Sequence, residues 1–246
     1  MNEAFEMERL DYQVDGQRYH GILFLPFKAQ QPRPLVMVVP EFWGRNDYSE
    51  RRAQQMAQLG YAGFAIDLYG DGRSTDDRDQ ATEWMNEAVA DPRELRNRYL
   101  AALHAARQHA GVDSSKVAAL GYCFGGAVGM SMARMGVEHD ALCAYHAGVT
   151  GLAPIKQTPI KTPMYLFMGG ADPMAPMDKV NALVDEMREA GAEVTLQVYE
   201  DALHAFTNPI ATQRGREFDM PLAYDAKADE DSFEKTRVFL KEKFGA

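Results

Sequence analysis

The sequence predicts an α/β fold, with a mostly parallel central sheet, helices on both of its faces and an antiparallel hairpin at its N-terminal edge. Three observations carry that prediction. Short continuous apolar runs, of which Leu35-Val36-Met37-Val38-Val39 is the clearest, recur along the chain in the manner of strands buried on both faces. Stretches with apolar residues at helical spacing lie between them, so strand and helix alternate from residue 35 onward. Ahead of these, two β-prone runs, 4–14 and 18–25, flank Asp15-Gly16, where glycine supplies the positive φ of a hairpin turn.

Each element has a local reason. Pro32-Arg33-Pro34 leads into the strand 35–39, which ends in Pro40-Glu41-Phe42-Trp43-Gly44. A helix is expected from about Asp47, with Asp47 and Glu50 at capping-box spacing and Ala53, Met56 and Ala57 on one face. Tyr61 to Asp67 reads as the next buried strand. The charged segment 73–90 reads as a loop with a short helix around Trp84 and Met85. Asp91 can cap a helix that starts with Pro92 and repeats Leu95, Tyr99, Leu103, Ala106 and Ala110. Later strands are expected at 117–122, 141–145, 164–168 and 193–199. Helices are expected after Cys123, from about Pro176 to Ala190, and around Phe233, Leu240 and Phe244, with a polar segment of uncertain structure before the last. No repeat or linker interrupts the pattern, so residues 1–246 are expected to form a single domain.

The chain turns on the stretch Gly121-Tyr122-Cys123-Phe124-Gly125-Gly126. A strand ends there and a helix begins, and the nucleophile Cys123 lies two residues from a glycine on either side, the pattern of the nucleophile elbow of the α/β-hydrolase fold. Such a turn presses its flanks against neighbouring backbone, which only a missing Cβ relieves. It also sets the N–H of Phe124 at a helix N-terminus, where the dipole favours a thiolate or an oxyanion. Two plainer readings compete. A dinucleotide-binding turn would need glycine at 124, where phenylalanine stands, and a lone cysteine is often only a small buried hydrophobe.

Composition bounds the partners. The 246 residues are 46% hydrophobic and 25% charged, an ordinary globular balance, and the formal charge of −10 argues against general affinity for nucleic acid or an anionic membrane. The two cysteines, Cys123 and Cys143, make no disulfide framework and fit a reducing compartment. Met1 to Glu6 lack a basic n-region and an apolar h-region, so no signal peptide is expected, and no membrane span is visible. A cytoplasmic protein acting on a small molecule is expected. His104 and His109 lack metal-ligand spacing, and neither a metal nor any other cofactor is expected.

In a parallel sheet, ligands bind at the carboxyl ends of the strands. The residues there are Glu41, Asp67, Cys123, His146, Asp172 and His204. They include a nucleophile, then an acid, then a histidine, in the chain order of α/β-hydrolases. A thiol with a pKa of about 8.5 is mostly protonated near neutrality, so a neighbouring base helps it, and a base needs a carboxylate to orient it. His204 is the candidate base, and Asp172, in the turn Gly169-Gly170-Ala171-Asp172-Pro173, is its candidate partner. Asp172 could equally be a turn former, His204 a satisfied surface histidine and Asp67 a structural cap. His146 is a rival base with no carboxylate near it in sequence, which favours a pocket or structural role.

Glu41-Phe42-Trp43-Gly44, Asp67-Leu68-Tyr69, Gly121-Tyr122-Cys123-Phe124-Gly125-Gly126, Gly169-Gly170-Ala171-Asp172 and His204-Ala205-Phe206 together resemble the corresponding segments of the dienelactone hydrolases. The resemblance covers nearly the whole chain, and the cysteine elbow is its most specific part. It implies a catalytic triad of Cys123, Asp172 and His204, an oxyanion hole from the N–H groups of Phe42 and Phe124, and a Glu41 that helps control thiol ionisation; a buried Glu41 paired elsewhere is the alternative. It implies a pocket near Trp43, Tyr122, Tyr145, His146 and Phe206, an acyl-thioenzyme, and hydrolysis of an ester or lactone. The chain departs from the family where Thr207-Asn208-Pro209 follows the histidine segment, since members specialised for dienelactones offer arginine there to meet the substrate carboxylate. Arg73, Arg78 and Arg214 remain, each also readable as a solvated surface charge, and 207–225 looks long enough to build part of a pocket. Two other classes stay open, a ligand-binding homologue without turnover and a redox-responsive thiol protein, the latter disfavoured by the absence of a resolving cysteine.

Overall fold

The computed structural model describes residues 5–245. Met1 to Ala4, where no leader was expected and where the 4–14 run begins, lie outside the described residues. The chain forms two compact units, one ending at Ala119 and the other starting at Leu120.

In the first unit β1 (Phe5–Val14) and β2 (Gln17–Pro26) form the antiparallel hairpin, paired from Phe5–Pro26 to Val14–Gln17. Asp15 at φ 48° and Gly16 at φ 82° both take the left-handed conformation that a tight two-residue hairpin demands. β3 (Arg33–Val39), α1 (Asp47–Gln58), β4 (Ala62–Ala65), α2 (Arg78–Val89), α3 (Pro92–Arg107) and the beginning of β5 (Val112–Tyr122) follow. The sheet order is β1-β2-β4-β3, with β3 and β4 parallel and β2 and β4 antiparallel. Ala53, Met56 and Ala57 are buried, and a Cβ on Gly63 would run into the Ala53 carbonyl, so α1 lies directly on β4.

Three local expectations change. The cap of α1 is Asn46, whose side chain accepts from the N–H groups of Tyr48 and Ser49 while its own N–H donates to Ser49 Oγ; the capping box therefore starts one residue before Asp47–Glu50. The 73–90 segment holds a twelve-residue helix, α2, capped by Asp77. It buries only Ala81 and Ala88, too thin a stripe to read from the pattern. α3 has the expected Asp91 cap and Pro92 start but ends at Arg107, leaving Ala110 exposed beyond it.

The second unit continues from β5 through α4 (Phe124–Arg134), β6 (Ala141–Tyr145), β7 (Met164–Gly169), α5 (Met177–Glu189), β8 (Val194–Tyr199), α6 (Ala211–Phe218) and α7 (Ala226–Phe244). Its strand order is β5-β6-β7-β8, with β6–β7 and β7–β8 parallel. An aromatic ladder runs across one face. Tyr122 stacks on Tyr145 at 4.5 Å, Tyr145 on Phe167 at 4.9 Å, and Phe167 on Tyr165 at 4.3 Å, with Phe239 of α7 edge-on to Tyr165. Each such pair adds about 0.5–1.5 kcal/mol beyond its buried area, so the strand ends are held firmly in register. No helix among the described residues is long and apolar enough to cross a membrane.

Candidate active site

The nucleophile candidate sits where chain geometry is least relaxed. Cys123 joins β5 to α4 with φ 54° and ψ −116°, a conformation that side-chain-bearing residues rarely adopt. Its N–H donates to the Tyr145 carbonyl at 3.0 Å, and its own carbonyl accepts from Gly126 and Ala127 at the start of the helix. A Cβ on Gly121 would strike the Gly125 carbonyl, and one on Gly126 would lie 2.6 Å from the Ala147 Cβ, so these glycines let the helix start fold back on the strand. Cys123 is partly exposed. Cys143, on β6, is fully buried, and burial pushes its thiol up to about 12. Phe124 opens α4, at the positive end of its dipole.

Asp172 and His204 are brought together inside the second unit. His204 Nδ1 lies 2.7 Å from Asp172 Oδ2, and both side chains are almost wholly shielded from solvent. The other carboxylate oxygen of Asp172 accepts the Met174 N–H at 2.8 Å. The paired glycines of this turn have a purpose. Gly170 N–H donates to the Tyr199 carbonyl at 2.7 Å and Ala171 N–H to the Ala202 carbonyl at 3.2 Å. A Cβ on Gly170 would lie 2.6 Å from the Glu200 carbonyl, and one on Gly169 would collide with that of Ala202. The turn after β7 and the loop after β8 are thus joined backbone to backbone, which sets Asp172 against His204.

The ring of His204 is the electrostatic centre of the site. Burial works against its charged form; the negative charge of Cys123 and the hydrogen bonds that the ring makes to Asp172 and Cys123 outweigh that and raise its pKa from 6.5 to about 10. Nε2, the nitrogen not engaged by Asp172, is buried.

The remaining expected residues fall in several places. Tyr122 and Tyr145, expected near a pocket, are fully buried in the aromatic ladder. His146 and Phe206 are also fully buried, with their rings edge-to-face at 5.2 Å. Within the first unit, Glu41, Phe42 and Trp43 are buried just past β3, and the rings of Phe42 and Trp43 lie 4.3 Å apart. The Phe42 carbonyl accepts from the Tyr69 hydroxyl at 3.0 Å. Asp67 has the structural role left open for it, since four backbone N–H groups donate to its carboxylate.

Of the arginines, Arg73 donates to the Gly70 carbonyl and lies over the Trp84 ring, and Arg78 pairs with Asp79. Arg214 is not a surface charge; it is buried on α6. That helix was not expected, and the segment around it returns to the base. Ala223 N–H donates to the His204 carbonyl at 3.2 Å and Asp225 N–H to that of Phe206 at 3.0 Å. Thr207 Oγ1 lies 2.7 Å from His146 Nε2, a contact across 61 residues that no local pattern announces.

The family model of the dienelactone hydrolases matches residues 20–244. A carboxymethylenebutenolidase of Pseudomonas putida is 29% identical over 208 residues, covering 78% of this chain and 82% of the relative. The solved structure of a dienelactone hydrolase-like promiscuous phosphotriesterase from metagenomic libraries has a TM-score of 0.87 at 31% identity, covering 97% of this chain and 98% of its own. An esterase of Pyrococcus furiosus, at 14% identity and a TM-score of 0.68 over 97% of this chain and 93% of its own, shares the fold.

Proposed function

The chain belongs to the dienelactone hydrolase family, and on that premise we propose that it hydrolyses carboxylic esters or lactones through Cys123, His204 and Asp172. It is a hydrolase of ester bonds, as the family and the carboxymethylenebutenolidase relatives indicate. The observation that carries the reading is the buried 2.7 Å pair of His204 and Asp172, with a ring that Cys123 acts on electrostatically.

The Cys123 sulfur, its proton held on His204, attacks the carbonyl carbon. The oxyanion forms against the N–H of Phe124 at the start of α4. As the intermediate collapses, the carbon–oxygen bond to the leaving group breaks and His204 Nε2 gives that oxygen its proton, leaving an acyl-thioenzyme. A water molecule then loses a proton to His204 and attacks the thioester, which releases the carboxylic acid and restores the sulfur. Asp172 holds the ring tautomer and offsets the imidazolium charge. The substrate is a small molecule. Asn208-Pro209 after the base segment supports a range wider than dienelactones. Two unlinked cysteines support a reducing, cytoplasmic setting.

Hydrolysis of short p-nitrophenyl esters and of lactones, measured for the wild type and for Cys123→Ala, tests the proposal. The variant is expected to lose activity by on the order of 10³-fold or more. Equal rates would remove Cys123 as nucleophile, and acylation without release would favour a binding role. A second reading, turnover of phosphotriesters, rests on the 31% identity to the metagenomic phosphotriesterase and is read in the same assay with an organophosphate triester.

A further inference from the structure

We propose that His146, keyed by Thr207, is a positioning residue that sets the ring of His204 for proton transfer. This inference rests on the triad reading above and assigns the second histidine a purpose within it.

Three contacts define the arrangement. His146 Nε2 lies 2.7 Å from the Thr207 hydroxyl, and both residues are fully buried. The His146 ring meets that of His204 at 5.3 Å and 64°, an edge approach. Phe206 stands edge-to-face against the far part of the same assembly, 5.2 Å from His146. Thr207 belongs to the turn that follows the base, closed by the Asn208 N–H donating to the Ala205 carbonyl at 2.9 Å. A bond from β6 thus grips the base's own loop three residues downstream.

The base needs such a grip. Asp172 fixes Nδ1, but a ring held at one nitrogen can still swing about that bond, and the swing moves Nε2, the atom that must exchange a proton with sulfur, leaving group and water. A misplacement of about 1 Å at a reacting group can cost on the order of 10²-fold in rate. The edge of His146 blocks the swing on one side. Backbone strain marks the same place. His146 takes φ 37° at the end of β6 while its N–H stays bonded to the Phe167 carbonyl at 2.8 Å. Cys123 at φ 54° and Ala205 at φ 58° are the other left-handed residues at these strand ends, so three loops of the site are bent out of the relaxed range together. Three of the positive-φ residues thus lie at strand ends of the site, a placement that points to a constraint imposed there.

The test uses the intact protein and a p-nitrophenyl ester. Thr207→Val removes the hydroxyl while nearly keeping the shape, and His146→Phe keeps a flat ring without the bond. Each is expected to lower kcat about 10- to 100-fold with KM changed less than about 3-fold, and Thr207→Ser is expected to restore most of the loss. The double variant should be little worse than the poorer single one, because both break the same link. The rate of Cys123 alkylation by iodoacetamide across pH 6 to 9 is the second readout. It should change in Thr207→Val in the same direction as in His204→Ala, and this measurement needs only folded protein. Wild-type kcat and an unchanged alkylation profile in Thr207→Val would overturn the inference. Full activity in Cys123→Ala, or alkylation indifferent to His204→Ala, would instead overturn the triad on which it rests.

Discussion

Two buried aspartates end two strands of this molecule, and they do opposite things. Asp67, past β4, accepts from the N–H groups of His20, Tyr69, Gly70 and Gly72, while the Tyr12 hydroxyl bonds its backbone at 2.7 and 2.8 Å. Both of its oxygens are taken by main chain, and the carboxylate acts as a knot for the 67–72 loop. Asp172, past β7, gives one oxygen to a single backbone N–H and the other to the ring of His204. Residue type, burial and place in the sheet are shared by the two. What separates a structural acid from one available for chemistry is the partner that fills its lone pairs, and glycine decides that partner. Gly70 and Gly72 take positive φ and turn their N–H groups onto Asp67; Gly169 and Gly170 keep room for another loop to bring in an imidazole.

Paired substitutions sharpen that contrast. Asp172→Asn is expected to lower kcat/KM by on the order of 10³- to 10⁴-fold, because the amide can donate to Nδ1 and so hold the wrong tautomer. Its urea midpoint should move little, and the check is steady-state kinetics beside an unfolding curve. Asp67→Asn should do the reverse. Turning an amide group toward backbone donors loses charge-assisted bonds in a buried loop, and a destabilisation of about 3 kcal/mol is expected, with kcat retained by the folded fraction. If Asp67→Asn abolished turnover at unchanged stability, the division of roles would collapse.

The smallest effect lies in the pH dependence of stability. Up to the ordinary thiol range of about 8.5 the proton that His204 holds in the folded chain is matched by one on the Cys123 thiol of the unfolded chain; above it the unfolded chain has released that proton while the folded ring keeps it to about 10. The stabilisation is therefore lost as pH rises from about 8.5 through 10. In Cys123→Ala the charge that does most to raise the ring is absent, so this loss should shrink. Urea titrations of both proteins at the two pH values measure it.

Much of this was legible in the chain. β3, β6 and β7 are apolar throughout, and strands covered on both faces leave that trace whatever surrounds them. The pairing of Asp172 with His204 could be expected from strand ends and chain order alone. What stayed hidden depends on partners distant in sequence or on weak periodicity. α2 buries only two alanines, and α6 is eight residues long with no side-chain cap and Gly215 in its interior, too short for a helical period to stand out. Tyr122 and Tyr145 were expected near a pocket on the strength of the resemblance; cross-strand stacking takes them into the core. Thr207 carried no signal, since its meaning lies in a histidine 61 residues away, just past β6.

The joining of the Asp172 turn to the loop after β8 runs entirely through main-chain atoms and owes nothing to sulfur. The seat of the Asp172–His204 pair is therefore indifferent to side-chain substitution around it, and Cys123→Ser should leave the two loops joined as they are.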